Sequence, residues 1–295
     1  MAVTVRPRAD QPAAERVLYQ RGAVMSATGP EDQGARQPST SSPQSYGSSA
    51  HISLRGVSKR FGGVVALRGV DVAIAKHEKV AILGPSGCGK STLLHIVAGL
   101  LDADAGSVDV AGAVTAKDRL ARCAMMPQRD LLMPWRTALD NACIALENRG
   151  VSRHEARERT RPLFGRFGLG KFEHLRPAQL SGGMRQRVSF VRTLMAEKDI
   201  LLLDEPFGAL DSITRAEMQE WLLRAMQDVP RTVVLVTHDV EEALLLADRV
   251  IVLSAHPGRV VSVLDARMDE SASRREIVTS PGFVKLREQA LEALE

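Results

Sequence analysis

Cysteine, aromatic residues and long apolar runs are all scarce in this chain of 295 residues. Three cysteines, Cys88, Cys123 and Cys143, cannot pair completely and show no metal-ligand spacing, which excludes a disulfide scaffold and favours a reducing, cytosolic setting. Aromatic residues make up 4% of the chain, so there is little to stack on bases, and a net charge of +4 argues only weakly for nucleic-acid binding. A membrane-crossing helix needs about 20 apolar residues in succession. The longest apolar runs, such as Ile200 to Leu203 and Ala243 to Ala247, are far shorter, so the chain is not expected to span a bilayer itself. Against these shortages stands a hydrophobic fraction of 44%, ample for a packed core in one large domain or two modest ones.

The first 50 residues read differently from the rest. Stretches such as Gln33 to Pro43 are rich in Ser, Pro, Gly and Gln without apolar periodicity, and bury too little surface to offset ordering entropy. Arg6, Arg8, Arg16 and Arg21 suggest a targeting peptide, but there is no apolar segment behind them, and Asp10, Glu15, Glu31 and Asp32 oppose a transit sequence. Residues 1–50 are therefore expected to be a disordered tail, or an overlong start with Met25 as an internal alternative.

From His51 the pattern is regular. Ile52 and Leu54, then Val70, Val72 and Ile74, alternate with polar or small residues as half-buried antiparallel strands do. Val80 to Leu83 is a short apolar run closed by a glycine-rich turn, and Lys90 to Ala98 has helical spacing. Between Thr137 and Leu180 the pattern turns helical: Thr137 is placed to cap a helix running through Glu147, and Ser152 with Glu155 forms a capping box for the next. Ile200 to Leu203, Val233 to Val236 and Val250 to Leu253 are continuous apolar runs, the pattern of parallel strands buried on both faces. The expected fold is α/β: a core with a mostly parallel sheet, an N-terminal antiparallel β subdomain, and a helical subdomain inserted at about residues 129–192.

Two motifs carry chemistry. Gly84-Pro85-Ser86-Gly87-Cys88-Gly89-Lys90-Ser91-Thr92 fits the phosphate-loop pattern and lies, as that pattern requires, after a buried strand and before a helix. Glycines allow successive N–H groups to point inward toward an anion, Lys90 would reach the β- and γ-phosphates of a nucleotide, and the Ser91 hydroxyl would ligate Mg²⁺. Cys88 occupies a variable position where a small side chain suffices. The second motif, Ile200 to Pro206, ends an apolar strand in two carboxylates: Asp204 to hold Mg²⁺ and Glu205 to polarise an attacking water.

With Leu180-Ser181-Gly182-Gly183-Met184-Arg185-Gln186-Arg187, Gln128, Gly208-Ala209-Leu210-Asp211 and Thr237-His238-Asp239 added, the chain resembles the ATP-binding subunits of ATP-binding-cassette transporters over about residues 51 to 265. The resemblance implies a cassette over residues 51–285, followed by the end of a C-terminal helix at 286–295. It also implies ATP and Mg²⁺ as ligands, with Glu205, His238 and Gln128 catalytic and Ser91, Gln128 and Asp204 around the metal. Phe61 matches the residue that stacks on adenine. Ser181, Gly182, Gly183 and Gln186 match the signature that faces the ATP of a second, head-to-tail copy, and Asp211 matches the residue that couples the two sites. Gly208 departs from the pattern, since many relatives carry Ser there.

A chain without spanning helices is expected to dock on two separate permease subunits at the cytoplasmic face of a membrane and to serve an extracytoplasmic solute-binding protein indirectly. About 57 residues follow His238, too few for the regulatory barrel of sugar-type importers. Asp130 to Arg136 resembles the matching stretch of importers for nitrate, aliphatic sulfonates, taurine and hydroxymethylpyrimidine thiamine precursors, with Trp135 as the interface anchor. Met125 to Asp130 leans toward the pyrimidine-precursor branch. The alternative is a soluble cassette protein acting on ribosomes or DNA, but one cassette without heptads or cysteine clusters argues against it and against nucleic-acid partners. A kinase or GTPase sharing only the phosphate loop leaves Leu180 to Arg187 without explanation.

Overall fold

The computed structural model describes residues 50–208, 210–228, 230–268 and 273–295. The expected tail apart from Ala50, and Ala209 of the Gly208 to Asp211 motif, lie outside the described residues. Two sheets form the frame. Strands β1 (Ile52–Phe61), β2 (Val64–Ile74) and β4 (Ala105–Val110) make an antiparallel sheet in the order β2-β1-β4. The second sheet contains β3 (Lys79–Leu83), β5 (Cys123–Met126), β6 (Ile200–Asp204), β7 (Thr232–Thr237), β8 (Arg249–Leu253) and β9 (Val260–Asp265), in the order β5-β6-β7-β3-β8-β9. All its neighbours run parallel except β8 and β9. The expected α/β architecture is thus present.

The continuous apolar strands serve both faces of this sheet. Val80, Ile82, Ile200, Leu202, Val234 and Val236 join a core with the antiparallel sheet and α1 (Lys90–Ala98). Their neighbours Ala81, Leu83, Leu201, Leu203, Val233 and Leu235 join the opposite core with the helices that follow β5. Period-2 side-chain alternation within an all-apolar run allows this, because both layers are dry.

The helical segment consists of α3 (Ala138–Glu147), α4 (Arg153–Arg166) and α5 (Gly182–Leu194). Thr137 caps α3 by accepting from the Asp140 N–H, as its position predicts. Only half of the expected capping box opens α4. Ser152 accepts from the Glu155 N–H, while the Glu155 carboxylate points along the helix to lie 4.0 Å from Arg159. Buried Asp140 ties α3 to α4 through Arg153 and Arg157; burial raises its carboxyl pKa, but the hydrogen bonds of these arginines outweigh it and leave the carboxyl below its ordinary value. Four further helices follow, α6 (Ser212–Asp228), α7 (Val240–Leu246), α8 (Arg274–Thr279) and α9 (Pro281–Glu292), after the short α2 (Ala116–Arg122) earlier in the chain. No helix among the described residues is long and apolar enough to cross a membrane.

Sheet register sets up the site. Leu83 pairs with Thr237, and Asp204 with Val236, so the C-terminal ends of β3, β6 and β7 lie side by side. The chain leaves these three ends into the phosphate loop, the two carboxylates and Thr237-His238-Asp239.

Candidate active site

The loop after β3 curls through Gly84 to Gly89 into α1. Gly89 takes φ 103° as the N-cap, and a Cβ there would lie 2.8 Å from the Ala66 carbonyl oxygen, so only glycine fits. No side chain caps α1, which leaves its first-turn N–H groups facing the concavity for an anion. Buried Lys90 folds over the loop, its Nζ donating to the carbonyls of Gly84 at 2.7 Å and Pro85 at 2.9 Å. Cys88 turns its side chain into the core, and burial raises its thiol pKa, so it is a packing residue and not a poised thiolate.

Across the loop, Ser91 Oγ donates to Asp204 Oδ1 at 3.0 Å. Asp204 is buried, and burial raises its carboxyl pKa; a cation placed there would offset that cost. Among the described residues no group of three His, Cys, Asp or Glu side chains could hold a metal unaided. The hard oxygens of Ser91 and Asp204 instead suit Mg²⁺, which is usually held by one or two carboxylates together with substrate phosphates.

Glu205 follows at φ 45°, a left-handed backbone that costs a residue with a Cβ on the order of 1–3 kcal/mol. Its N–H donates to the Val236 carbonyl at 2.9 Å, and its side chain is held from two sides. Gln128 Nε2, beyond β5, donates to Oε2 at 3.0 Å, and His238 Nδ1, beyond β7, lies 3.3 Å from Oε1. The three residues meet because β5, β6 and β7 are adjacent in the sheet. Such a carboxylate is oriented to take a proton from water near a bound phosphate.

The other expected site residues lie around this centre. Phe61 ends β1 with its ring half-exposed and Lys59 Nζ 5.6 Å from the ring centre, Lys59 being anchored on Asp104 at 2.7 Å. Ser181 caps α5 by accepting from the Met184 N–H at 3.2 Å, with Gly182 and Gly183 opening the helix. Gln186 differs from expectation. It is buried, and its amide donates to the Pro206 carbonyl at 3.0 Å instead of facing outward with Ser181. The reason is helical spacing: Gln186, Ser189 and Thr193 share the inward stripe of α5. Asp211 caps α6, accepting from the Thr214 N–H at 3.0 Å, a bond that lowers its carboxyl pKa. At Gly208 an added Cβ would find only ordinary contacts, the nearest 3.6 Å away, so the departure from Ser has a steric cost in neither direction.

Two neighbours of Glu205 escape sequence reasoning. A cavity of about 40 Å³ beside it is lined by Gly208, Arg215, Thr237, His238, Asp239 and Glu242. Arg215 donates to the Leu210 carbonyl at 3.0 Å and lies 3.6 Å from Asp239, joining the start of α6 to the start of α7. Glu242 is buried with Oε1 unpartnered among the described residues; burial first, and the charge of Asp239 second, push its carboxyl up to about 8. In the sequence, Asp239 followed by Glu242 reads as an exposed helix start, and only the packing of α7 buries the acid.

An unfolded Glu releases its proton near pH 4.3. The folded chain therefore holds an extra proton between that value and about 8, and the associated stability is lost as pH rises through this window. Glu242→Gln removes the effect. Its stability relative to the unmutated chain is expected to rise by on the order of a few kcal/mol between pH 5 and pH 9, read from denaturant melts.

A phosphate cradle set against an acidic strand end defines a P-loop nucleoside triphosphatase. The ABC transporter family model matches residues 67–208. A taurine import ATP-binding protein of Rhizobium johnstonii is 43% identical over 78% of this chain and 89% of its own length. An aliphatic sulfonates import ATP-binding protein of Rhodococcus jostii is 47% identical over 69% of this chain and 79% of its own. Among solved structures, a dimeric ATP-binding cassette bound to ADP and Pi in a post-hydrolysis state has a TM-score of 0.68 at 31% identity, covering 74% of this chain and all of that one. The chain belongs to the ATP-binding-cassette family of transporter ATPases. It is an ATP-hydrolysing subunit of a small-nutrient importer.

Proposed function

We propose that the chain hydrolyses MgATP in a head-to-tail pair with a second copy, at the cytoplasmic face of the membrane. Hydrolysis would drive uptake of a small sulfonate, taurine or an aliphatic sulfonate, through two permease subunits fed by a solute-binding protein. The observation that carries this reading is the junction at Gln128. Its amide bonds Glu205, and seven residues later Trp135 stands 70% exposed on the surface. One short segment thus joins the hydrolytic carboxylate to an apolar anchor suited to a partner. The solute class follows the taurine and sulfonate relatives, in preference to the pyrimidine-precursor branch.

Phe61 stacks on the adenine, and Lys90 with the Gly84 to Thr92 backbone binds the phosphates. Ser91 and Asp204, with Gln128 as a further oxygen donor, would hold Mg²⁺, which when bound would supply positive charge toward the nucleotide phosphates. Glu205 accepts the proton of the attacking water, while Gln128 and His238 hold its two oxygens in place. Ser181, Gly182 and Gly183 present the N-terminus of α5 to the partner's ATP, where the helix dipole favours an anion. Asp211 stands at the boundary between the two copies. Gln186 supports the signature from inside, through Pro206.

Vesicles carrying the cognate permease are expected to capture the chain, and Trp135→Ala to weaken capture by about tenfold or more, as loss of a central aromatic anchor does. Labelled taurine uptake should stop in cells lacking the chain. Recovery of the chain with ribosomes or DNA, and none with permease vesicles, would overturn the reading.

A further inference from the structure

The segment between Gln128 and Trp135 is gripped from the signature helix. Arg185 Nε donates to Asp130 Oδ2 at 2.9 Å, and its Nη1 donates to the Leu180 carbonyl, just before Ser181, at 2.9 Å. About two turns further along α5, Arg192 donates to the Asp130 carbonyl at 2.7 Å and to the Leu131 carbonyl at 2.9 Å. Between those carbonyls Leu131 sits at φ 44°, the left-handed region that is unfavourable for a residue with a Cβ. Its side chain is 64% exposed, so no core contact repays the strain. The guanidinium bonds are what hold this backbone, with a smaller contribution from Asp130 Oδ1, which accepts from the Leu132 N–H at 3.2 Å.

The gripped segment faces three ways. Gln128, two residues before Asp130, bonds Glu205 of the chain's own site. Arg185 and Arg192 belong to the helix whose Ser181-capped start serves the site of the second copy. Leu131 and Trp135 are the exposed apolar residues on which a permease would press. We infer that Asp130, Arg185 and Arg192 are positioning residues that lock the docking segment to the signature helix, so that pressure from the permease moves Gln128 and the start of α5 together. The inference rests on the docking reading above. Its two-state element is the left-handed turn at Leu131, held while the arginines grip it and relaxed when they let go.

Two measurements on the full chain test it. In the free chain, Asp130→Ala is expected to raise amide hydrogen exchange at Ser181 to Met184 several-fold, because the start of α5 loses its tether; unchanged exchange there overturns the grip whether or not a permease docks. At vesicle concentrations that saturate capture, Asp130→Ala should hydrolyse ATP without permease within about twofold of the unmutated chain, yet lose about tenfold of the permease-stimulated rate, a usual size for coupling between sites. The double variant Asp130→Ala with Arg185→Gln should lose less stimulation than the two single losses combined, since both single changes remove the Arg185–Asp130 bond; fully additive losses overturn the shared grip. Stimulation kept by Asp130→Ala, or lost in step with permease-free hydrolysis, overturns the coupling role. Failure of the unmutated chain to bind the vesicles would instead overturn the docking reading, and the coupling role with it.

Discussion

Glu205→Gln is expected to bind ATP as tightly as the unmutated chain and to lose turnover by a factor of about 10² to 10⁴, the usual contribution of a positioned general base. The substitution preserves shape. The left-handed backbone at residue 205, its N–H bond to the Val236 carbonyl, and the neighbours Gln128 and His238 all remain. What disappears is the only part of the side chain that takes up a proton, because an amide oxygen is a far weaker base than a carboxylate. Phosphate release at saturating ATP, set beside equilibrium binding of ATP, separates the two effects. A rate within twofold of the unmutated chain would remove Glu205 from the role of proton acceptor.

Lys90→Ala is expected to act on the other side of the reaction, weakening ATP binding about a hundredfold. The ammonium lies buried over the loop, held by two backbone carbonyls, and in the proposed mechanism it would exchange these for phosphate oxygens when ATP enters. Charge-assisted hydrogen bonds contribute about 1.5–3 kcal/mol each. A net loss near 3 kcal/mol corresponds to about two powers of ten in Kd. Lys90→Arg is not expected to rescue binding, since the planar guanidinium is bulkier than the ammonium and the site is nearly closed to solvent. Calorimetric titration with ATP measures both variants; a Kd for Lys90→Ala within threefold of the unmutated value would show that the backbone cradle alone carries the phosphates.

The two substitutions divide the site along a line that is partly visible in the sequence. Lys90 and Glu205 can both be picked out because each follows an apolar run at fixed spacing, and a strand delivers its ligands at its C-terminal end. Helix starts at Thr137, Ser152 and Ser181 are legible for the same kind of reason: a cap binds an N–H three residues away. Gln186 is the instructive miss. Its place in the signature suggests an outward role, yet the inward stripe of α5 buries it against Pro206. Glu242 and Arg215 look like ordinary polar residues of helix first turns, and nothing local indicates that α7 packs one into a cavity beside Glu205 and that the other bridges two loops.

By itself the sequence determined the phosphate loop, the paired acids, the caps and the alternation that makes a two-layered core, because these depend on backbone preferences and on contacts within about four residues. Tertiary structure alone decided that Gln128, Glu205 and His238 meet on one carboxylate, that Gln186 and Glu242 turn inward, and that Arg185 and Arg192 grip a strained Leu131. The side-chain bonds among them join residues 20 to 77 positions apart. They exist because the strand order β5-β6-β7-β3, and the register that pairs Leu83 with Thr237 and Asp204 with Val236, bring separate loops to one sheet edge.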